Sequence, residues 1–147
     1  SRRVAIFDNH GMLLASSQLP YLFAGGEELG GMAIADVDGQ KPPEIVLAGQ
    51  VLRYVVSGDK REIRQVWVQT PSVPFWGSLS AVADINGDGK PEVLTGKELW
   101  AGTTGDDRTP GPLTVLDGPG AYPAIADFNL DGKADLGMVM AAAISRN

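Results

Sequence analysis

Residues 84–92 read Asp-Ile-Asn-Gly-Asp-Gly-Lys-Pro-Glu, and this stretch, called loop two below, decides the fold. Its oxygen-bearing side chains stand at alternate positions, Asp84, Asn86 and Asp88, so they can converge on one ion. Gly89 follows at the sixth position, where the chain must turn and Gly tolerates a positive φ. Glu92, at the ninth position, would supply the closing ligand. Because the donors are carboxylates and amides, with no Cys or His among them, the stretch predicts a Ca²⁺ site.

The same loop occurs at two other places in the chain. Loop three, residues 127–135, reads Asp-Phe-Asn-Leu-Asp-Gly-Lys-Ala-Asp, and loop one, residues 36–44, reads Asp-Val-Asp-Gly-Gln-Lys-Pro-Pro-Glu. An Ala-x-Ala segment leads into each loop and an apolar run follows it. The loops begin at Asp36, Asp84 and Asp127, which are 48 and then 43 residues apart. This spacing is typical of four-stranded propeller blades, so the chain is predicted to be a repeat protein.

The residues that flank the loops separate the families of calcium loop. An EF-hand requires a bidentate Glu at the twelfth position and a helix on each side. Here the twelfth residue is Leu47, Thr95 or Met138, and the flanks are short, β-branched and Gly-rich. Dockerin-like loops fail on the same two points. EF-hand and dockerin-like loops are therefore excluded.

The remaining pattern resembles the FG-GAP or VCBS repeat, known from the propeller of integrin alpha subunits and from many bacterial surface proteins. Residues 75–78, Phe-Trp-Gly-Ser, look like the aromatic-Gly part of that repeat. Its Gly-Ala-Pro part is missing, with only Gly-Ala-Tyr-Pro at 120–123 nearby, so the chain resembles the divergent bacterial versions more than integrins. The resemblance covers nearly the whole chain. It implies an all-β fold, a β-propeller built from four-stranded antiparallel blades.

The resemblance also carries metal-ligand roles onto the loops. In loops two and three it implies Ca²⁺ ligands at the side chains of positions one, three, five and nine and at the seventh backbone carbonyl, namely Asp84, Asn86, Asp88, Lys90 and Glu92, and Asp127, Asn129, Asp131, Lys133 and Asp135. Loop one has Gln40 in place of the fifth acid and Lys41 in place of the turning Gly. Its ligand set, Asp36, Asp38, Gln40 and Glu44, is expected to bind metal weakly or not at all.

Residues 1–147 are expected to form one repeat domain of about three blades in circularly permuted form. The expected parts are the outer strands of a split blade (1–19), a blade with the degenerate loop (20–70), a blade with a calcium loop (71–118) and the inner strands of a split blade (119–147). The first part is predicted to be a hairpin, with Asn9 and Gly11 where its turn requires positive φ. Three blades cannot close a ring, so we expect a homodimer with six blades or a place in a larger propeller.

Charge and composition limit the partners and the compartment. The net charge of -6 argues against a nucleic-acid partner, and the absence of Cys excludes disulfides and thiolate metal sites. The longest apolar run, residues 136–144, is too short for a bilayer, so no direct membrane insertion is expected. Calcium loops of extracellular modules bind at roughly 10⁻⁴ to 10⁻³ M. We therefore expect a secreted, bacterial protein outside the cell or at its surface; a chain beginning at Ser1 looks like an excised piece.

No set of residues for covalent catalysis is visible, because the acids belong to loops and His10 lies in a turn. The predicted function is therefore a non-catalytic, calcium-stabilised binding or adhesion module for a protein or glycan ligand. Two alternatives remain open. A lectin-like propeller would use its Trp residues, Trp67, Trp76 and Trp100, to stack on sugars. A polysaccharide-acting enzyme with a propeller domain would use an acid of the exposed 102–112 insert, Asp106 or Asp107.

Overall fold

A computed structural model describes residues 3–18, 31–47, 49–68, 79–95, 98–102, 112–115 and 122–139. The regular elements in these ranges are all β-strands. Their bounds are β1 Arg3–Phe7, β2 Leu13–Gln18, β3 Met32–Ala35, β4 Glu44–Leu47, β5 Gln50–Ser57, β6 Lys60–Val68, β7 Ser80–Ala83, β8 Glu92–Thr95, β9 Glu98–Ala101, β10 Pro112–Val115, β11 Tyr122–Ala126 and β12 Asp135–Val139. Within these ranges there is no helix long and apolar enough to cross a bilayer.

The strands form antiparallel sheets in which consecutive strands are neighbours. Two sheets have four strands each, β3-β4-β5-β6 and β7-β8-β9-β10, and two have two strands each, β1-β2 and β11-β12. Loop one joins β3 to β4, loop two joins β7 to β8, and loop three joins β11 to β12. The predicted all-β fold of four-stranded antiparallel blades is thereby confirmed.

The N-terminal hairpin forms as predicted, but its turn uses only one residue with positive φ. Gly11 has φ +81, whereas Asn9 is not in the left-handed region, so the prediction for Asn9 is wrong. The reason is the Asp8 side chain, whose Oδ1 accepts hydrogen bonds from the backbone N–H groups of His10 and Met12. These bonds stabilise an ordinary turn over the first residues and leave Gly11 to reverse the chain. The second strand continues to Gln18, within the segment 1–19 predicted for the outer strands.

Two hydrophobic cores lie on opposite faces of the β3–β6 sheet. On β4, Ile45 and Leu47 point to one face, where they pack with Val4 and Ala15 of the hairpin. Val46 points to the other face, toward the β7–β10 sheet. This alternation follows from the period of two along a strand. The β3–β6 sheet is therefore sandwiched between the hairpin and the next sheet, as a blade is between its neighbours.

The first strands of successive sheets lie close together. β7 contacts both β3 and β11. Between the first two sheets the Ser80 N–H donates a hydrogen bond to the Gly31 carbonyl at 3.2 Å. A Cβ on Gly31 would fall 2.1 Å from Leu79 Cδ2, so no larger residue fits there without movement. The first strands of neighbouring sheets thus approach each other closely, as expected for the crowded inner strands of a propeller.

Several predicted features lie outside the described residues. These are residues 19–28 of the crossing between blades predicted at 18–28, the aromatic-Gly segment at 75–78 with Trp76, the insert at 103–111 with Asp106 and Asp107, and the Gly-Ala part of the segment at 120–123.

Candidate metal centre

Loop two is held in shape by its own acidic and amide side chains. Asp84 Oδ1 accepts hydrogen bonds from the N–H groups of Gly87 at 2.7 Å and Asp88 at 3.1 Å, and its Oδ2 accepts from Gly89 at 2.8 Å. Asn86 Oδ1 accepts from the Asp88 N–H at 2.8 Å. Asp88 Oδ1 accepts from the Lys90 N–H at 2.8 Å. These short-range bonds fix the three side chains on the inner side of one turn.

Loop three repeats this arrangement with different intervening residues. Asp127 Oδ1 and Oδ2 accept from the N–H groups of Asp131 at 3.1 Å and Gly132 at 2.8 Å. Asn129 Oδ1 accepts from Asp131 at 2.9 Å, and Asp131 Oδ1 accepts from Lys133 at 2.9 Å. Each of these distances is within 0.1 Å of its counterpart in loop two. The two loops are therefore copies of one structure.

The acid at the ninth position closes each loop from the following strand. Glu92 Oε2 accepts from the N–H groups of Ile85 at 2.8 Å and Asn86 at 3.4 Å, while its Oε1 accepts from Asn86 Nδ2 at 3.2 Å. The corresponding bonds of loop three run from Phe128 and Asn129 to Asp135 Oδ2 at 3.0 and 3.2 Å. Glu92 is buried and Asp135 half-buried. The ninth side chain thus satisfies backbone N–H groups that would otherwise lack a partner.

Positive φ angles mark the same two positions in the calcium-type loops. The sixth residues, Gly89 and Gly132, both have φ +84, which confirms the predicted role of Gly at this position. The fourth residue also has positive φ, at Gly87 (+77) and at Leu130 (+63). Leu130 is the only non-glycine residue with positive φ among those described, a strained conformation that sequence analysis did not anticipate.

Loop one differs because an arginine from β5 reaches into it. Arg53 Nε and Nη2 both lie 2.7 Å from Glu44 Oε1, and Nη2 also contacts Asp38 Oδ2. The side chains of Asp38 and Glu44 are almost completely buried, and that of Arg53 is 22% exposed. Burial alone would lower the pKa of Arg53, but its hydrogen bonds with Asp38 and then Glu44 outweigh this and raise the pKa. Arg53 is therefore a permanent cation among the loop acids.

The predicted ligands are distributed unequally between the loops. Among the described residues, three acids lie with ligand atoms within 4.8 Å of one another only at Asp36, Asp38 and Glu44 of loop one. The acids of loops two and three do not gather so closely, and Asn86, Asp88, Asn129 and Asp131 are solvent-exposed. Lys90 and Lys133, predicted to offer backbone carbonyls, are also exposed. The tightest acid cluster is thus in the loop that the sequence ranked weakest.

The donor chemistry of loops two and three fits a hard divalent cation. Every donor is an oxygen. An oxygen that accepts a single N–H bond, as Asp84 Oδ2, Asn86 Oδ1 and Asp88 Oδ1 do, keeps a second lone pair for a metal. The loops carry no thiol or imidazole. The ligand roles predicted for these residues fit that chemistry and stay predictions. Arg53 was missed, although a charged residue within the apolar run of β5 was a visible signal.

The described tryptophans do not form a sugar-binding surface. Trp67 and Trp100 are 5% and 3% exposed and lie in the core between the two four-stranded sheets. Neither ring is free to stack on a sugar. Both are packing residues, as scattered aromatic residues in β-repeats usually are.

Comparison with protein-family models identifies the repeat. The model of the FG-GAP repeat matches residues 75–107, a segment that contains β7, loop two, β8 and β9. Searches of curated proteins and of solved structures find no match to this chain. The chain therefore carries an FG-GAP-type repeat, and its sheets are those of a β-propeller. FG-GAP repeats are typical of extracellular and cell-surface proteins.

Proposed function

We propose that this chain is a calcium-stabilised, non-catalytic binding or adhesion module of an extracellular β-propeller. The observation that carries the proposal is the identity of loops two and three. Two segments 43 residues apart, at Asp84 and Asp127, share four side-chain-to-backbone bonds whose lengths agree within 0.1 Å, and the bonds to their ninth acids agree within 0.2 Å. Both surround their turn with oxygen donors alone, which is the ligand type that Ca²⁺ selects.

Electrostatics favour metal binding at these two loops. Asp84, Asp88 and Glu92 place three acids in one loop, and Asp127, Asp131 and Asp135 do the same in the other. Within the part of the chain that the structure describes, neither Lys90 nor Lys133 forms an ion pair, so these lysines do not neutralise the loop acids. A bound divalent cation would relieve the mutual repulsion of the acids and so stabilise the fold.

The proposed compartment follows from affinity. Loops of this type in extracellular modules bind Ca²⁺ at roughly 10⁻⁴ to 10⁻³ M, so they fill outside the cell and stay empty in a cytosol. The FG-GAP-type repeat supports the same assignment. We place the module in a secreted or surface-attached protein, with a protein or glycan as its ligand.

The test is a calcium titration with loop variants as controls. Calorimetry on the wild-type chain is expected to show two Ca²⁺ ions, and Asp88→Ala or Asp131→Ala is expected to remove one each. At ten times Kd each ion adds about 1.4 kcal/mol to the free energy of unfolding, so millimolar Ca²⁺ raises Tm and a chelator lowers it. Absence of binding, or a stoichiometry that neither variant alters, contradicts the proposal.

A further inference from the structure

We infer that Arg53 replaces the metal ion in loop one, so that this repeat is closed by a cation built into the protein. The guanidinium bridges two acids of the loop, Asp38 and Glu44, with 2.7 Å between Arg53 Nη2 and Glu44 Oε1. Both acids are nearly inaccessible to solvent, and such acids are held in a fold only with a compensating positive charge.

The register of the two four-stranded sheets shows which residue lies opposite the ninth acid of loops one and two. In the β3–β6 sheet, Leu52 pairs with Ile45 on the neighbouring antiparallel strand. The next residue, Arg53, therefore lies opposite the ninth loop residue, Glu44. In the β7–β10 sheet the residue at the same place is Ala101, which pairs directly with Glu92. A methyl group offers no charge to Glu92. The strand next to the loop thus supplies a cation in one repeat and none in the other.

The presence of Arg53 coincides with the loss of metal-loop features. Loop one lacks an acid at its fifth position and a Gly at its sixth, where Gln40 and Lys41 stand. Loop two keeps both features and has Ala101 opposite. Loop one nevertheless retains the bond from the Val37 N–H to Glu44 Oε2 at 3.0 Å, so its turn still forms. The fixed charge of Arg53 would therefore compensate the acids of loop one, as a dissociable metal ion would compensate those of loop two.

The experiment removes the charge and asks whether a metal takes its place. Asp88→Ala and Asp131→Ala are combined to silence loops two and three, and Arg53→Met is added to retain side-chain length without charge. In chelator the added substitution should lower Tm, and millimolar Ca²⁺ should restore Tm with one ion bound. The parent double variant should bind none, and Arg64→Met, at an exposed pair with Glu62, should leave the double variant unchanged.

The reciprocal variant places an arginine beside loop two, a loop proposed to bind Ca²⁺. Ala101→Arg, made in the otherwise wild-type chain, should lower the calcium stoichiometry by one because the new guanidinium faces Glu92. This arm rests on the proposed function, whereas the Arg53→Met arm does not. The inference is overturned if Ca²⁺ fails to restore the stability lost with Arg53→Met, or if the double variant with Arg53 intact binds as many Ca²⁺ ions as the variant with Arg53→Met.

A different observation, the uneven covering of the sheets, supports a second inference. We propose that the uncovered ends of the blade stack are joined to a second copy of this chain. On the β3–β6 sheet, Ile45 and Leu47 are buried under the hairpin, yet their cross-strand partners Ile34 and Met32 are 60% and 58% exposed. The hairpin therefore covers one part of this face and leaves the inner strand bare.

The sheet at the other end of the stack, β11-β12, also has an uncovered face. The second residue of loop one, Val37, is 2% exposed because it packs into the core shared with the following sheet. Its counterpart in loop three, Phe128, is 62% exposed and lies over Gly137, whose added Cβ would come 3.2 Å from the Phe128 ring. Ala124 and Ala126 beside it are exposed as well. This face has no following sheet among the described residues.

Each uncovered face matches what the other end of the chain supplies. β11 and β12 correspond to the inner strands β3 and β4 of the β3–β6 sheet. The β1–β2 hairpin lies against the outer part of that sheet, because β2 contacts its outermost strand, β6. In a pair of chains related by a two-fold axis, β11 and β12 of one copy would extend the hairpin of the other toward the axis. Ile34 of each chain would then be covered by the Phe128 face of its partner, in a closed, isologous dimer.

Introduction of a charged side chain on each apolar face tests this pairing. Light scattering should give a mass near twice 15.5 kDa for the wild-type chain and near 15.5 kDa for Ile34→Lys and for Phe128→Lys. A mixture of these two variants retains one unaltered interface, so it should associate although neither variant does alone. Met12→Lys, in the exposed hairpin turn, is the control and should remain dimeric. A folded wild-type monomer, or a dimer indifferent to both face variants, overturns the proposal.

Discussion

Replacement of Gly89 or Gly132 by Val isolates the cost of backbone conformation in the calcium-type loops. Both glycines have φ +84, and a Cβ built on either meets no atom within 4 Å. Neighbouring atoms therefore add no steric term. A β-branched residue held in the left-handed region costs about 2–3 kcal/mol, and the stiffer unfolded chain returns about 0.5–1 kcal/mol. The free energy of unfolding should fall by about 1–2.5 kcal/mol for each substitution.

Lys41→Val is the matched control, because Lys41 occupies the sixth position of loop one. It is exposed and does not have positive φ, so the expected change is within about 0.5 kcal/mol. Urea unfolding in excess chelator measures all three variants without a contribution from altered metal affinity. Equal losses for the three variants would refute the reasoning, since they would show that φ at the sixth position does not set the cost.

The structure also predicts whether each of three further substitutions stabilises or destabilises the fold. Leu130→Gly should raise the free energy of unfolding by about 0.5–1 kcal/mol in urea titrations, because relief of its positive φ exceeds the entropic cost of Gly; a loss would contradict this. Gly102→Ala should lower Tm by an amount equivalent to about 1–3 kcal/mol, because its Cβ would fall 2.1 Å from the Pro91 carbonyl oxygen; an unchanged Tm is the contrary result. Glu44→Gln should cost about 2–4 kcal/mol by chemical denaturation, because it deprives Arg53 of a buried partner; a loss below about 1 kcal/mol would disagree.

Sequence periodicity predicted most of the sheet structure because each repeat carries its own local signals. The acids and glycines of loop two specify a turn, and the apolar residues after the loop specify a strand that is buried on both faces, as Val93 and Leu94 are. The calcium ligands were named from the same signals and remain predictions. Local patterns of this kind are read directly from the chain.

Interactions that cross between elements were not predictable in this way. Arg53 reaches loop one from β5, nine residues beyond Glu44, so its role depends on the register of the sheet. Asn9 was assigned positive φ from composition, but the Asp8 side chain bonds the turn differently. Leu130 offered a detectable signal, since the other two loops have glycine at the fourth position, and alignment of the repeats would have exposed the strain.

The three loops together separate the framework of the turn from the binding of an ion. A bond from the N–H of the second residue to the acid at the ninth position is present in every loop, at 3.0 Å for Glu44, 2.8 Å for Glu92 and 3.0 Å for Asp135. The bond from the seventh N–H to the fifth acid occurs only in loops two and three. Because loop one keeps its turn without the fifth acid, that acid is not required for closure of the backbone. A repeat can therefore keep its turn while it takes its positive charge either from a metal ion or, as at Arg53, from the chain itself.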